Sequence, residues 1–229
     1  MTAPVAVRRR TPSGIRWNDD LGRYIDTNGR IVSTATVRRE LDRSIDRMKQ
    51  DARTLADELR GGRVSLAEWE KEMRVLVKDV QLLSVAGARG GWGQLGASEY
   101  GRIGAFTRQQ YDYLYQFALD VQSGKQRLDG TLSNRAVMYV ESGRRSFEKQ
   151  QQVTDAAAGY DQERNVLHPA DHCSGPTGCP AQTARGWVPI GALVPIGERP
   201  CRSRCKCTID RRRSPAARVR ARRRRANAG

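Results

Sequence analysis

Residues 37–59 read VRRELDRSIDRMKQDARTLADEL. Leu41, Ile45, Met48, Ala52, Leu55 and Leu59 recur there at steps of four and three, and Arg, Asp, Glu and Lys fill most of the positions between them. That is the one-sided apolar stripe of an amphipathic helix, and Gly61-Gly62 ends it. Ser65-Leu66-Ala67-Glu68 then has the form of a capping box. It opens a second helix with Trp69, Met73, Leu76, Val80 and Leu83 on one face. A short loop between two such helices makes an antiparallel pair. Neither stripe is long enough for an extended coiled coil, so core packing is expected, within one chain or between chains.

Working outward from this pair, residues 87–96 are expected to form a flexible break around Trp92. A third helix is expected over residues 100–122, burying Ile103, Phe106, Leu114, Phe117 and Val121. Tyr111, Tyr113 and Tyr115 on it read as a core edge and interface belt. Residues 132–152 read as one fourth helix carrying Val137, Val140 and Phe147. Before the first helix, Asn28-Gly29 between apolar residues signals a two-residue hairpin turn. The resulting two-stranded arm would be marginal alone, so it should lie on the helices or on a neighbouring subunit. Residues 1–16, with Arg8, Arg9 and Arg10 beside Pro4 and Pro12, cannot bury a core and read as a flexible basic arm.

Residues 168–209 differ in kind. They hold all five cysteines and both histidines of the chain, and their Pro and Gly density rules out a long helix. Their apolar content is thin, mainly Trp187, Val188, Ile190, Leu193, Val194, Ile196 and Ile209, so a staple is needed. The spacing Cys173-x5-Cys179-x21-Cys201-x3-Cys205-x-Cys207 offers two separated thiolate clusters that could clamp one tetrahedral zinc. Cys205 and Cys207 would point to opposite faces if extended, so one of them is expected beside Cys173, Cys179 and Cys201. His168 or His172 could replace a thiolate. Disulfides are the alternative. Residues 1–10 contain no apolar segment of the signal-peptide kind, and a reducing compartment favours thiols or metal. His172-Cys173 lacks a recognisable orienting third group, and phosphate loops and the metalloprotease helix motif are absent, so no enzyme is expected.

The chain carries a formal charge of +16 on 229 residues with 38% hydrophobic content, which points to acidic partners and a modest core. Half of that charge lies in residues 210–229. Arg211, Arg212, Arg213, Arg218, Arg220, Arg222, Arg223, Arg224 and Arg225 stand there against Asp210 alone, a local charge of +8. Such a block reads as a disordered tail that binds polyphosphate by counterion release, without sequence preference. It has no apolar anchor for a membrane, and no run in the chain approaches a membrane-spanning length.

Three further stretches carry a family resemblance. Gly186-Trp-Val-Pro-Ile-Gly191, then Pro195-Ile-Gly197, then Cys201-Arg-Ser-Arg-Cys-Lys-Cys-Thr-Ile209 is similar to the closing segment of minor head proteins of tailed bacteriophages, of the phage Mu F-like head morphogenesis type. Leu66-Ala-Glu-Trp69, Tyr113-Leu-Tyr-Gln-Phe-Ala118 and Arg135-Ala-Val-Met-Tyr139 fit the helical part. The resemblance spans roughly residues 17–209. It departs from the commoner pattern in the wider first cysteine pair and in having Cys201 where a His-Pro often precedes the last cysteines. It implies a virion component of low copy number at the capsid interior or portal vertex, assembled in the host cytoplasm. Its partners would be portal or major capsid protein and double-stranded DNA, with a homo-oligomer as one arrangement. The rival reading is a zinc-module nucleic-acid-binding regulator.

The expected architecture is therefore mainly α. It comprises a hairpin arm over residues 17–35, a helical domain over 36–155, an irregular or β cysteine-rich module over 156–209, and the arginine-rich tail.

Overall fold

The computed structural model describes residues 14–168 and 173–219. Its first helix, α1 (Thr34–Arg60), is capped by Ser33, whose hydroxyl accepts the Thr36 N–H, and it buries the stripe from Val37 to Leu59. The capping box opens α2 (Leu66–Arg89): Ser65 Oγ accepts from Glu68 N, and the Glu68 carboxylate accepts from Ser65 N. These bonds satisfy amide groups that a helix start otherwise leaves unpaired. α2 packs against α1, against α3 (Ala97–Gln122) and against α5 (Gly143–Ala157), while α4 (Gly130–Glu141) lies on α1. The two stripes thus meet inside one chain. Trp69 and Phe117 pack edge to face at 5.2 Å, and Tyr139 stacks on Phe117 at 5.9 Å.

Four expectations need correction, the last of them at the start of the arginine-rich tail. The break after α2 is shorter than residues 87–96, because Gly87 stays helical and the left-handed cap falls at Gly90. Gly90 has φ +91°, and a Cβ there would lie 2.0 Å from the Trp17 amide nitrogen, so glycine lets the N-terminal sheet close on the helix end. The single fourth helix is two, divided at Ser142. The Ser142 hydroxyl donates to the Tyr139 carbonyl and accepts from Gln81, and the chain turns onto α2 with Gly143 in contact. A Cβ on Gly143 would meet Ser84 Oγ at 2.6 Å and Val80 Cγ2 at 2.7 Å. Gly143→Ala is therefore expected to destabilise by about 1–3 kcal/mol through overpacking, read as a lower urea midpoint.

The third correction is to the hairpin arm, which has three strands. β1 (Arg16–Asn18), β2 (Arg23–Ile25) and β3 (Ile31–Val32) form an antiparallel sheet in that order. Residues 26–30 make a longer loop than a two-residue turn. The Asp26 carboxylate accepts the N–H groups of Asn28 and Arg30, with Gly29 at φ +76°. The sheet lies on the helices: Trp17 and Tyr24 are buried, and the Tyr24 hydroxyl donates to the Ala88 carbonyl at 2.8 Å and contacts the Gln151 side chain.

A second antiparallel sheet forms the cysteine-rich module. β4 (Gln162–Val166) is central, flanked by β5 (Val188–Pro189) and β6 (Thr208–Arg212), with the short helix α6 (Cys179–Ala184) against β4. β6 runs past the expected start of the tail at residue 210, pairing Arg212 with Gln162 and Arg211 with Glu163. Among the described residues, no helix is long and apolar enough to cross a membrane.

Candidate metal centre

The centre is built from the inward side of β4. Strand alternation sends Glu163 and Asn165 inward and Arg164 outward. Glu163, fully buried, accepts the N–H groups of Gly191 at 2.9 Å and Leu193 at 3.1 Å, which fixes the glycine-containing turn after β5. Asn165 donates to the Cys179 carbonyl at 3.2 Å and to Thr183 Oγ1 at 2.7 Å, seating α6. Gln182 on α6 accepts the Val194 N–H and ties the helix to the same turn. Cys179 thereby reaches the middle of the module.

All five cysteines are free thiols, and Cys173, Cys179, Cys205 and Cys207 are buried. The Cys173 sulfur lies 3.4 Å from that of Cys201, and the Cys179 sulfur lies 3.7 Å from Cys201 and 3.6 Å from Cys205. A tetrahedral zinc with bonds of about 2.3 Å holds its sulfurs about 3.8 Å apart, so the observed spacings fit one ion. Two overlapping groups have their ligand atoms within 4.8 Å of one another: Cys173, Cys179 and Cys201, and Cys179, Cys205 and Cys207. Cys179 belongs to both. The cluster can hold a metal ion.

Burial and crowding set its electrostatics. Burial and the neighbouring thiols push Cys201 up to about 12, and Cys179 and Cys205 also lie above the ordinary thiol value, chiefly through burial. Cys173 behaves oppositely. Burial works against its thiolate, but the Cys179 N–H donates to its sulfur at 2.9 Å and, with the adjacent thiols, holds it below the usual value. A bound dication reverses the balance, because thiolates that repel one another become its ligands. Arg199, 1% exposed, adds a positive charge: it donates to the Asn165 side chain at 2.6 Å, to the Val194 carbonyl at 2.8 Å, and to the Cys179 sulfur at 3.6 Å.

His168 stands apart, with Nε2 3.5 Å from Thr208 Oγ1, and among the described residues the ligand groups contain cysteines alone. His172 lies outside the described residues.

Comparison with protein-family models, with curated proteins and with solved structures returns no match.

The arginines expected to bind nucleic acid have separate fates. The Arg211 side chain is 3% exposed and lies 3.4–3.6 Å from Asp155, Glu148 and Glu163, so it belongs to the interior. Arg212 lies over the Trp187 ring at 4.0 Å, as Arg164 does at 4.8 Å, and donates to Gln162. Arg213 donates to the Ala158 carbonyl and packs over Tyr160. These three are tied up by the fold because β6 extends into the charge block. Arg218 is exposed, and Arg220, Arg222, Arg223, Arg224 and Arg225 lie outside the described residues.

Sequence reasoning missed the buried polar layer of Glu148, Asp155, Glu163, Asn165, Arg199 and Arg211. The only available signal was the polar run Gln162-Glu-Arg-Asn165 at strand length, which hydrophobic patterning does not register.

Proposed function

We propose that this chain is a structural minor head protein of a tailed bacteriophage, acting at the capsid interior or portal vertex during head morphogenesis. In this reading the metal is a single structural zinc held by Cys173, Cys179, Cys201 and Cys205. Cys207, buried beside Cys179 and Cys205, is the fifth thiol. The helical body docks on portal or major capsid protein, and the exposed tyrosines Tyr100, Tyr113 and Tyr115 of α3 offer amphipathic contact surface for that purpose. Arg218, Arg220, Arg222, Arg223, Arg224 and Arg225 neutralise phosphates of packaged duplex DNA without reading sequence.

One observation carries the reading. The segment that resembles the family's closing motif, residues 186–209, supplies three of the five clustered cysteines and the turn that Glu163 holds. It is clamped to the helices where Arg38 donates to the Ile209 carbonyl and to Glu148. A small clip fixed rigidly to a helical body suits a scaffold component. The regulator reading needs an element able to read base edges, whereas α6 is six residues long and packed on β4.

Native mass spectrometry after co-expression with the portal and major capsid proteins of the same phage tests this. A defined complex with either protein is expected. A monomer that ignores both partners and prefers one DNA sequence would favour the regulator.

A further inference from the structure

The cysteine turn carries charge on its outside as well as sulfur within. Between Cys201 and Cys207 the buried side chains Cys205 and Cys207 alternate with exposed Arg202, Arg204 and Lys206. Among the described residues no ion pair or side-chain hydrogen bond engages these three cations. Arg38 pairs with Glu148, Arg135 with Asp120, Arg144 with Asp42, and Arg145 with Glu198, whereas exposed Arg43, Arg53 and Arg108 stand singly without an ion pair among the described residues. Three cations within five residues, without a side-chain partner among the described residues, concentrate positive charge on the outside of this turn.

Arg202 is also strained. Among the described residues it is the only non-glycine with positive φ, at +46°. Such a conformation is strained in an L-residue and would be relieved by glycine. Arginine at this position puts a guanidinium at the rim of an open groove of about 830 Å³ between the turn and α3, α4 and α5. Arg135, Arg144 and Arg145 line that groove. Its acids are already neutralised, Glu141 by Lys49 at 3.4 Å and Glu198 by Arg145 at 2.8 Å.

We propose that Arg202, Arg204 and Lys206, with the groove that Arg202 lines, form a sequence-independent site for the phosphate backbone of nucleic acid, shaped by the metal-binding cysteines beneath. The site is additional to the arginine-rich tail, and only its metal-dependent shape rests on the zinc reading given above. A protein partner fits less well, because residues 202–206 expose no apolar anchor of the kind that dominates protein interfaces. Free cations that release condensed counterions are what a polyphosphate uses.

The test measures equilibrium binding of the full-length, metal-loaded protein to duplex DNA of random sequence over a salt series, with a single strand and polyglutamate as comparisons. The triple variant Arg202→Ala, Arg204→Ala, Lys206→Ala should bind the duplex roughly tenfold or more weakly at about 0.1 M salt, with a log–log salt slope shallower by about 3. Arg202→Gly, which suits the observed backbone, should flatten the slope by about 1. Metal content confirms that each variant keeps its fold. A fully loaded triple variant with unchanged affinity and slope overturns the site, as does tighter wild-type binding to polyglutamate than to DNA. Absence of DNA binding by the wild-type protein would overturn both this site and the tail's role. The head-assembly reading would still stand or fall on portal and capsid association.

Discussion

Cys179→Ser is expected to take the metal content of the chain from one ion to none and to open residues 173–209 to protease, while helices α1–α5 remain folded. Cys179 is the one thiol shared by both candidate ligand groups, its sulfur lies within 3.7 Å of two others, and its backbone N–H supports a third. Serine leaves a shorter, harder oxygen that no longer spans the tetrahedral edge. Structural zinc in small modules is worth on the order of 10 kcal/mol of folding free energy at neutral pH. The module has little else to fall back on, because its apolar core beyond the cysteines is Leu193, Ile196 and Ile209, with Val188 partly buried against it. The helices keep a separate core running from Trp17 to Phe147. Limited proteolysis and metal analysis read the two effects separately. Cys207→Ser is the control and should retain its ion. Retention of a full ion by Cys179→Ser would exclude the proposed ligand set.

The second large effect is expected at Arg211. Its guanidinium is the shared counter-charge of Glu148, Asp155 and Glu163 on α5 and β4, with Arg38 assisting at Glu148. Removing one partner of a buried ion pair strands the other, so Arg211→Ala should cost about 3–5 kcal/mol. The pH dependence distinguishes this cause from a simple packing loss. Burial already raises Asp155 above the usual carboxylate value, and the attraction of Arg211 opposes that rise. Without Arg211 the folded value climbs further. A carboxyl whose folded value exceeds its unfolded one binds a proton preferentially in the folded state, so stability increases as pH falls from the folded value towards the unfolded one. The deficit of Arg211→Ala against wild type should therefore be smaller at about pH 5 than at pH 7 in urea titrations. An equal deficit at both pH values would point to lost packing alone. If Arg211 were a DNA contact instead, the substitution would weaken DNA binding and leave stability unchanged.

What the sequence made legible follows from where apolar periodicity was strong. The stripes of α1 and α2 and the Ser65–Glu68 box were readable because burial, helix period and capping chemistry agreed at the same residues. The cysteines were readable as one cluster because clustered thiols in a core-poor segment have few other uses. The division at Ser142 was not readable, since both flanking helices keep apolar residues at helical spacing, and it depends on how closely Gly143 approaches Val80 and Ser84. β4 was hidden because its inward residues are Glu163 and Asn165, satisfied by backbone amides, Arg199 and Arg211 across the fold. That also explains why the arginine block was assigned wholly to a tail. Composition cannot separate Arg211, paired with three buried carboxylates, from Arg218, exposed a few residues later.

The central claim is that the cysteines form one metal centre that rigidifies the closing segment. Native mass spectrometry of the full chain, purified from a reducing cytoplasm, tests it most directly. One zinc per chain, lost together with protease resistance of residues 173–209 on chelation, is the predicted result. A chain that carries no metal as purified, takes up none from added zinc, and keeps the segment protected would contradict it.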